Sequence, residues 1–130
     1  MNLIKLESNI RQWGINRNIT EEGGATVQAQ ASKGLEEMAE MFSTLGRMSA
    51  CKAKANTAAL EEDGQTLREC FSEMDELREQ LKDDIGDVTV CMIQAARLAD
   101  TDLTECLEKS WNDIKDRKGE MRGGKFYKEE

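Results

Sequence analysis

Lys33-Gly34-Leu35-Glu36-Glu37-Met38-Ala39-Glu40 and, later in the chain, Asp83-Asp84-Ile85-Gly86-Asp87 carry acidic residues at matching intervals. Three- and four-residue spacing stacks side chains on one face of an α-helix. Glu37 and Glu40 satisfy it, as do Glu36 and Glu40, and Asp84 and Asp87 repeat it. Two helices that bring these faces level would gather oxygen ligands for a hard cation such as Mg²⁺. The rest of the chain reads as the scaffold that holds them.

The second stretch lies in a long helix expected over 66–99, where Leu77, Leu81, Ile85, Val88, Met92 and Ala95 recur at helical spacing. Stepping 100° per residue puts Asp84 inside that apolar arc and Asp87 on its border. A solvated face does not account for Asp84, because a buried carboxylate has to be neutralised, paired or bound to a metal. Residues 88–93 are apolar nearly all round, which suits a central helix or a subunit contact. The first stretch lies in a helix expected over 27–46, capped by Thr26, with Leu35, Met38, Phe42 and Leu45 as its apolar stripe. Lys33, Glu37 and Glu40 fall opposite that stripe. Taken alone, this helix also fits a plain solvated face.

Around these, Leu3, Leu6, Ile10 and Trp13 predict an amphipathic helix over 2–13, stopped by Gly14. Residues 14–25 form a connection. The stretch 46–66, small and polar with Gly46 and Gly64 as punctuation, reads as a weakly amphipathic, peripheral helical insertion. Asp100 or Thr101 is the expected cap of a last helix, and Asp102-x-x-Glu105 has the form of a capping box. That helix carries Leu103, Leu107, Trp111 and Ile114 and ends in Lys115-Asp116-Arg117-Lys118. A non-helical tail, 119–130, contains Gly123-Gly124 and can fold back over the bundle. Trp13 and Trp111 read as core residues in preference to rings that stack on a base.

The composition narrows the class. At 130 residues with no proline, the chain reads as one all-α domain. Its net charge of −8 argues against a nucleic-acid partner, and no apolar run approaches the roughly 18 residues that span a bilayer. The N-terminus lacks the apolar core of a signal peptide. Cys51, Cys70, Cys91 and Cys106 are widely spaced with no histidine to complete a zinc site, so reduced thiols in a cytoplasmic protein are expected. Without histidine, catalysis would rest on carboxylates, Lys, Arg or a metal.

Glu36-Glu37-x-x-Glu40 followed by Asp84-x-x-Asp87 resembles the paired acidic signature of the all-α nucleoside triphosphate pyrophosphohydrolases, the superfamily of the MazG proteins and dimeric dUTPases. Arg11-Gln12-Trp13-Gly14-Ile15-Asn16-Arg17, Gln30-x-x-Lys33 and Ile85-Gly86-Asp87-Val88 are similar to small phage and bacterial MazG-like proteins. So is Trp111-Asn112-Asp113-Ile114-Lys115-Asp116-Arg117-Lys118-Gly119-Glu120-Met121 with Phe126-x-Lys128-Glu129. The resemblance covers roughly 1–45 and 75–130. It implies a four- to five-helix bundle, a homodimer or a tetramer built from two dimers, and Mg²⁺ (with Mn²⁺ able to substitute) held by Glu37, Glu40, Asp84 and Asp87. Glu36 would be a further ligand or would orient water. The implied reaction cleaves a nucleoside triphosphate to monophosphate and pyrophosphate, for nucleotide-pool cleansing or regulation. Lys33, Lys115, Arg117 and Lys118 would contact phosphates, and Gln30 and Asn112 base or sugar.

The chain departs from the family pattern in having Asp84 where Glu is usual and in its longer 46–66 connection. These departures keep open a catalytically weak nucleotide sensor or a helical interaction module.

Overall fold

The computed structural model describes all 130 residues and is all-α apart from one small hairpin. Four helices, α1 (Leu3–Asn16), α2 (Val27–Leu60), α3 (Gly64–Leu98) and α4 (Leu103–Ile114), precede strands β1 (Gly119–Arg122) and β2 (Lys125–Lys128). No helix is long and apolar enough to cross a membrane.

The centre of the molecule is an antiparallel pair, α2 against α3. The residues of α2 turned to its partner are Gly34, Glu37, Met41, Thr44, Met48, Cys51, Ala55 and Ala58; those of α3 are Cys70, Met74, Leu77, Leu81, Asp84, Val88 and Cys91. Both sets alternate steps of three and four, the seven-residue repeat of a coiled coil. Cys51, Cys70 and Leu77 form its buried centre, with Met48, Ala55 and Met74 packed around them. The 46–60 stretch is therefore not a peripheral excursion. It continues α2 without a break, because Gly46 has open space around it and alanines supply small seam residues.

The stripe Leu35-Met38-Phe42-Leu45 does not meet α3. It lies beside the seam and stays exposed, as do Ile85 and Met92 on α3.

The first three helices stop by a common device. Asn18, Glu62 and Asp100 adopt φ of 61°, 57° and 59°. Each following residue donates its N–H five residues back, Ile19 to Gly14, Asp63 to Ala58 and Thr101 to Ala96, all at 2.9 Å. These are Schellman closures made without glycine. Gly14 is not the stop expected for α1. It is buried inside the helix, where a Cβ would lie 2.2 Å from the Gln94 side chain.

That close approach joins α1 to the C-terminal half of α3. Gln94 Nε2 donates to the Ile10 carbonyl at 2.8 Å, and the Arg97 guanidinium reaches the Ile19 carbonyl. Arg11 donates to the Thr101 carbonyl at 2.9 Å, and the buried Glu7 carboxylate accepts from Leu103 N at 2.6 Å. The cap of α4 is Asp102, which accepts from Glu105 N at 2.8 Å; the Glu105 carboxylate takes the Thr101 hydroxyl. Asp100 and Thr101 serve the preceding closure instead.

Beyond α4 the tail is a two-stranded antiparallel hairpin. Gly123 and Gly124 both have positive φ, as a two-residue primed turn requires. All eight strand residues are exposed, so the hairpin does not fold back over the helices. Trp13 and Trp111 are exposed too, 45% and 59%, and do not serve as core.

Candidate functional site

The antiparallel register brings the two acidic stretches level. Thr44 of α2 donates its hydroxyl to Asp84 Oδ2 of α3 at 2.5 Å, which fixes the pairing one turn from Glu40. Glu37 and Asp84 sit in the seam itself, with the Glu37 side chain 15% exposed and Asp84 2% exposed. Glu40 and Asp87 occupy the flank of the seam on the same side, at the solvent edge.

Asp84 answers the question its position raises with two neutral donors. Besides the Thr44 hydroxyl, Gln80 donates Nε2 to Oδ1 at 2.9 Å from one turn earlier in α3. Thr44 also reaches the Glu40 carbonyl at 3.3 Å. A buried carboxyl is tolerable when each oxygen has a partner.

The other acids repel one another. Glu40 has its carboxyl pushed above the usual carboxylate range, first by the charge of Glu37 and a hydrogen bond with it, then by partial desolvation and by Asp84; Lys33 opposes this. Asp87 is raised chiefly because the neighbouring chain screens its carboxyl from water, with Asp83, Glu37 and Asp84 adding repulsion. Lys33 is the one cation among them, 3.2 Å from Glu36 and 3.5 Å from Glu37. These ion pairs are exposed at the lysine and worth little to stability. Their effect is to partly offset the acidic field.

Glu36 itself points outward and is exposed, so it stands apart from the seam. Gln30 is half-buried two turns before Glu37 on the side facing α3. Asn112, Lys115, Arg117 and Lys118 are not brought to the acidic flank. Asn112 is exposed on α4, and Arg117 and Lys118 share a polar patch with Asp113, Asp116, Lys128, Glu129 and Glu130 at the base of the hairpin. Within one chain, that basic cluster faces acids of its own segment.

Comparison with family models, with curated proteins and with solved structures finds no match. The site is accordingly read from its own chemistry.

The donors here are carboxylates, the oxygen set that suits Mg²⁺, with the reduced Cys91 thiol buried in the seam near Glu37 and Asp87 and raised by burial and by their charges. The side chains are level without being gathered into one coordination sphere. Lys33 holds Glu37, and Thr44 and Gln80 hold both oxygens of Asp84. Beside Asp87 lies an open groove of about 530 Å³ between α1 and α3, lined by Leu3, Leu6, Ile10 and Val90 together with Asp83 and Gly86. Thr44 and Gln80 are site residues that spacing of acids alone did not single out. Their signal was present: Thr44 falls on the seam repeat, and Gln80 stands four residues before Asp84 on one helical face.

Proposed function

We propose that this chain is a Mg²⁺-dependent nucleoside triphosphate pyrophosphohydrolase of the all-α, MazG-like kind, releasing monophosphate and pyrophosphate. The observation that supports the reading is the level set of Glu37 and Asp84 in the α2–α3 seam with Glu40 and Asp87 on its flank, the latter two raised in part by the charge of their acidic neighbours. Carboxylates kept together against their own repulsion are what a cation site requires before the cation arrives. The motif order, with the C-terminal segment, supports the same conclusion.

Glu37, Glu40, Asp84 and Asp87 would hold the metal, and a bound Mg²⁺ supplies charge neutralisation for phosphates and a more acidic water. The protein's own part is orientation. Thr44 and Gln80 fix the Asp84 carboxyl, so the shorter Asp in place of Glu is held rather than free to swing. The acidic repulsion that helps raise the Glu40 and Asp87 carboxyl groups would be relieved by a bound cation. Glu36 would orient water from the outer side. Lys33 is placed to leave Glu37 for a phosphate oxygen once a cation neutralises the acids. The groove beside Asp87 offers apolar walls to a base, and Gln30 an amide to base or sugar.

The test is pyrophosphate release by the Glu40→Gln and Asp87→Asn variants. Both are expected to lose at least ~100-fold in turnover while keeping native helix content. Wild-type turnover in either variant would refute the site. A second reading, a nucleotide sensor of low turnover, is favoured by one feature: both oxygens of Asp84 already have donors. It predicts Mg²⁺-nucleotide binding without product.

A further inference from the structure

Four sulfur-bearing side chains meet in the α2–α3 seam, two turns along α2 from Thr44 and nearer the loop that joins the helices. Met48-x-x-Cys51 and Cys70-x-x-x-Met74 each set a thioether and a thiol one turn apart on the face that meets the other helix. Cys51 and Cys70 are 4% and 2% exposed and form the buried centre with Leu77. Met48 and Met74 are half-buried and pack against them. Cys51 donates its S–H to the Cys70 carbonyl at 3.2 Å, so the two cysteines touch across the seam. Burial, then the charges of Glu73 and Cys70, push the Cys51 thiol up. Both thiols are free. Nor is the cluster sealed. An open groove of about 540 Å³ runs to it, lined by all four sulfur residues, with Lys52 and Arg78 on its walls.

The donor set decides which cation it suits. Thiolate and thioether sulfurs are soft ligands and select cuprous copper over hard cations. Zinc sites take four thiolates, imidazoles or carboxylates. No three such side chains converge here, and the chain has no histidine. What completes the set is a pair of thioethers, neutral donors that suit a monovalent soft ion. Methionine has three rotatable bonds, so Met48 and Met74 can turn from the groove onto an ion held between the thiols.

We infer that Met48, Cys51, Cys70 and Met74 form a binding site for cuprous copper in the α2–α3 seam, entered through this groove. Binding is ligand exchange with no change of oxidation state. Each thiol releases its proton to solvent as its sulfur bonds the ion, and copper enters and stays as Cu⁺. One monovalent ion and two thiolates leave a single negative charge. Lys52 and Arg78 offset it from the groove walls, although Arg78 also pairs with Asp75 at 2.9 Å and Glu73 stands beside Cys51. The ion would join side chains of α2 to side chains of α3, so it cross-links the helix pair near its loop and stabilises the fold. Hard and soft cations thus have separate places along one seam, carboxylates around the Thr44–Asp84 bond and sulfurs toward the loop.

The inference goes beyond the catalytic reading, and its readout is copper rather than turnover, so either can fail alone. The probe is Cu⁺ as its bicinchoninate complex, titrated without oxygen and with ascorbate against the full chain, the loss of the chelate's colour reporting transfer. The wild type should withdraw one copper per chain, melt at a higher temperature when loaded, and show a sulfur-only shell in copper X-ray absorption. Cys51→Ala and Cys70→Ala should each weaken binding by at least ~100-fold, and Met48→Leu with Met74→Leu by about 10-fold together. The leucines keep the core volume, so the methionine pair still reports if a cysteine variant loses its helical circular dichroism. Cys106→Ser, at an exposed thiol on α4, should bind as the wild type does. A wild type that withdraws no copper overturns the proposal. So does binding left unchanged in Cys51→Ala or in the methionine pair.

Discussion

Thr44→Val tests whether the Asp84 carboxyl is held as described. The change keeps shape and volume but removes the donor at 2.5 Å from Asp84 Oδ2. That oxygen belongs to a side chain 2% exposed, so water cannot replace the hydroxyl without opening the seam. A buried polar group left unsatisfied costs about 1–3 kcal/mol, against a total stability on the order of 5–15 kcal/mol. Gln80 keeps the other oxygen, so the lower half of that interval is expected. Asp84→Leu removes the need for donors altogether and places an apolar side chain where the coiled-coil repeat favours one. It should be neutral or stabilising, although inactive. In the Asp84→Leu background Thr44→Val should cost nothing further, giving a coupling of about 1–2 kcal/mol in the double-mutant cycle. Urea unfolding in EDTA at one fixed protein concentration measures all four proteins. Thr44→Val within about 0.3 kcal/mol of wild type would refute the reasoning, as would an equal loss in the Asp84→Leu background.

Gly14→Ala should destabilise by about 1–3 kcal/mol, since its Cβ would meet the Gln94 amide that anchors α1, and urea midpoints check this. Gly46→Ala, with open space around it in mid-helix, should instead gain about 0.5–1 kcal/mol by the same assay. Glu40 and Asp87 have folded proton affinities above those of the unfolded chain, so their ionisation destabilises the fold. Melting temperature in EDTA should therefore rise as pH falls from 7 toward about 5. The rise should flatten in Glu40→Gln/Asp87→Asn. Asp63, lowered by its cap bonds to Thr66, acts in the opposite sense and only at lower pH.

Much of the fold was legible in the sequence. Thr26 caps α2, the last helix starts near its capping-box signal, and the buried position of Asp84 followed from its place in the apolar arc. What misled was the assumption that the most apolar stripe faces the nearest partner. In α2, Leu35, Met38, Phe42 and Leu45 lie beside the seam, and the seam itself is made of Gly34, Glu37, Thr44, Cys51 and Ala58. Those residues carry a weak hydropathy signal although their spacing is strict. The 46–60 stretch was obscure for the same reason. Gly14 carries the signal of a helix stop because glycine favours the left-handed turn. Here its missing side chain makes room for Gln94, and Asn18, Glu62 and Asp100 take the turns. Of the proposed site, the four acids and Lys33 lie level along the α2–α3 pair without closing on one coordination sphere, and the basic cluster after α4 does not join them in one chain. Its placement depends on long-range packing that local spacing does not encode.

The most direct test of the central claim is phosphorus NMR of the products formed from a panel of ribo- and deoxynucleoside triphosphates, with Mg²⁺ and then with EDTA. The account predicts monophosphate and pyrophosphate in equal amounts, only with the metal, and none from Glu40→Gln. Orthophosphate with diphosphate, or no product from any triphosphate in the panel, would contradict it.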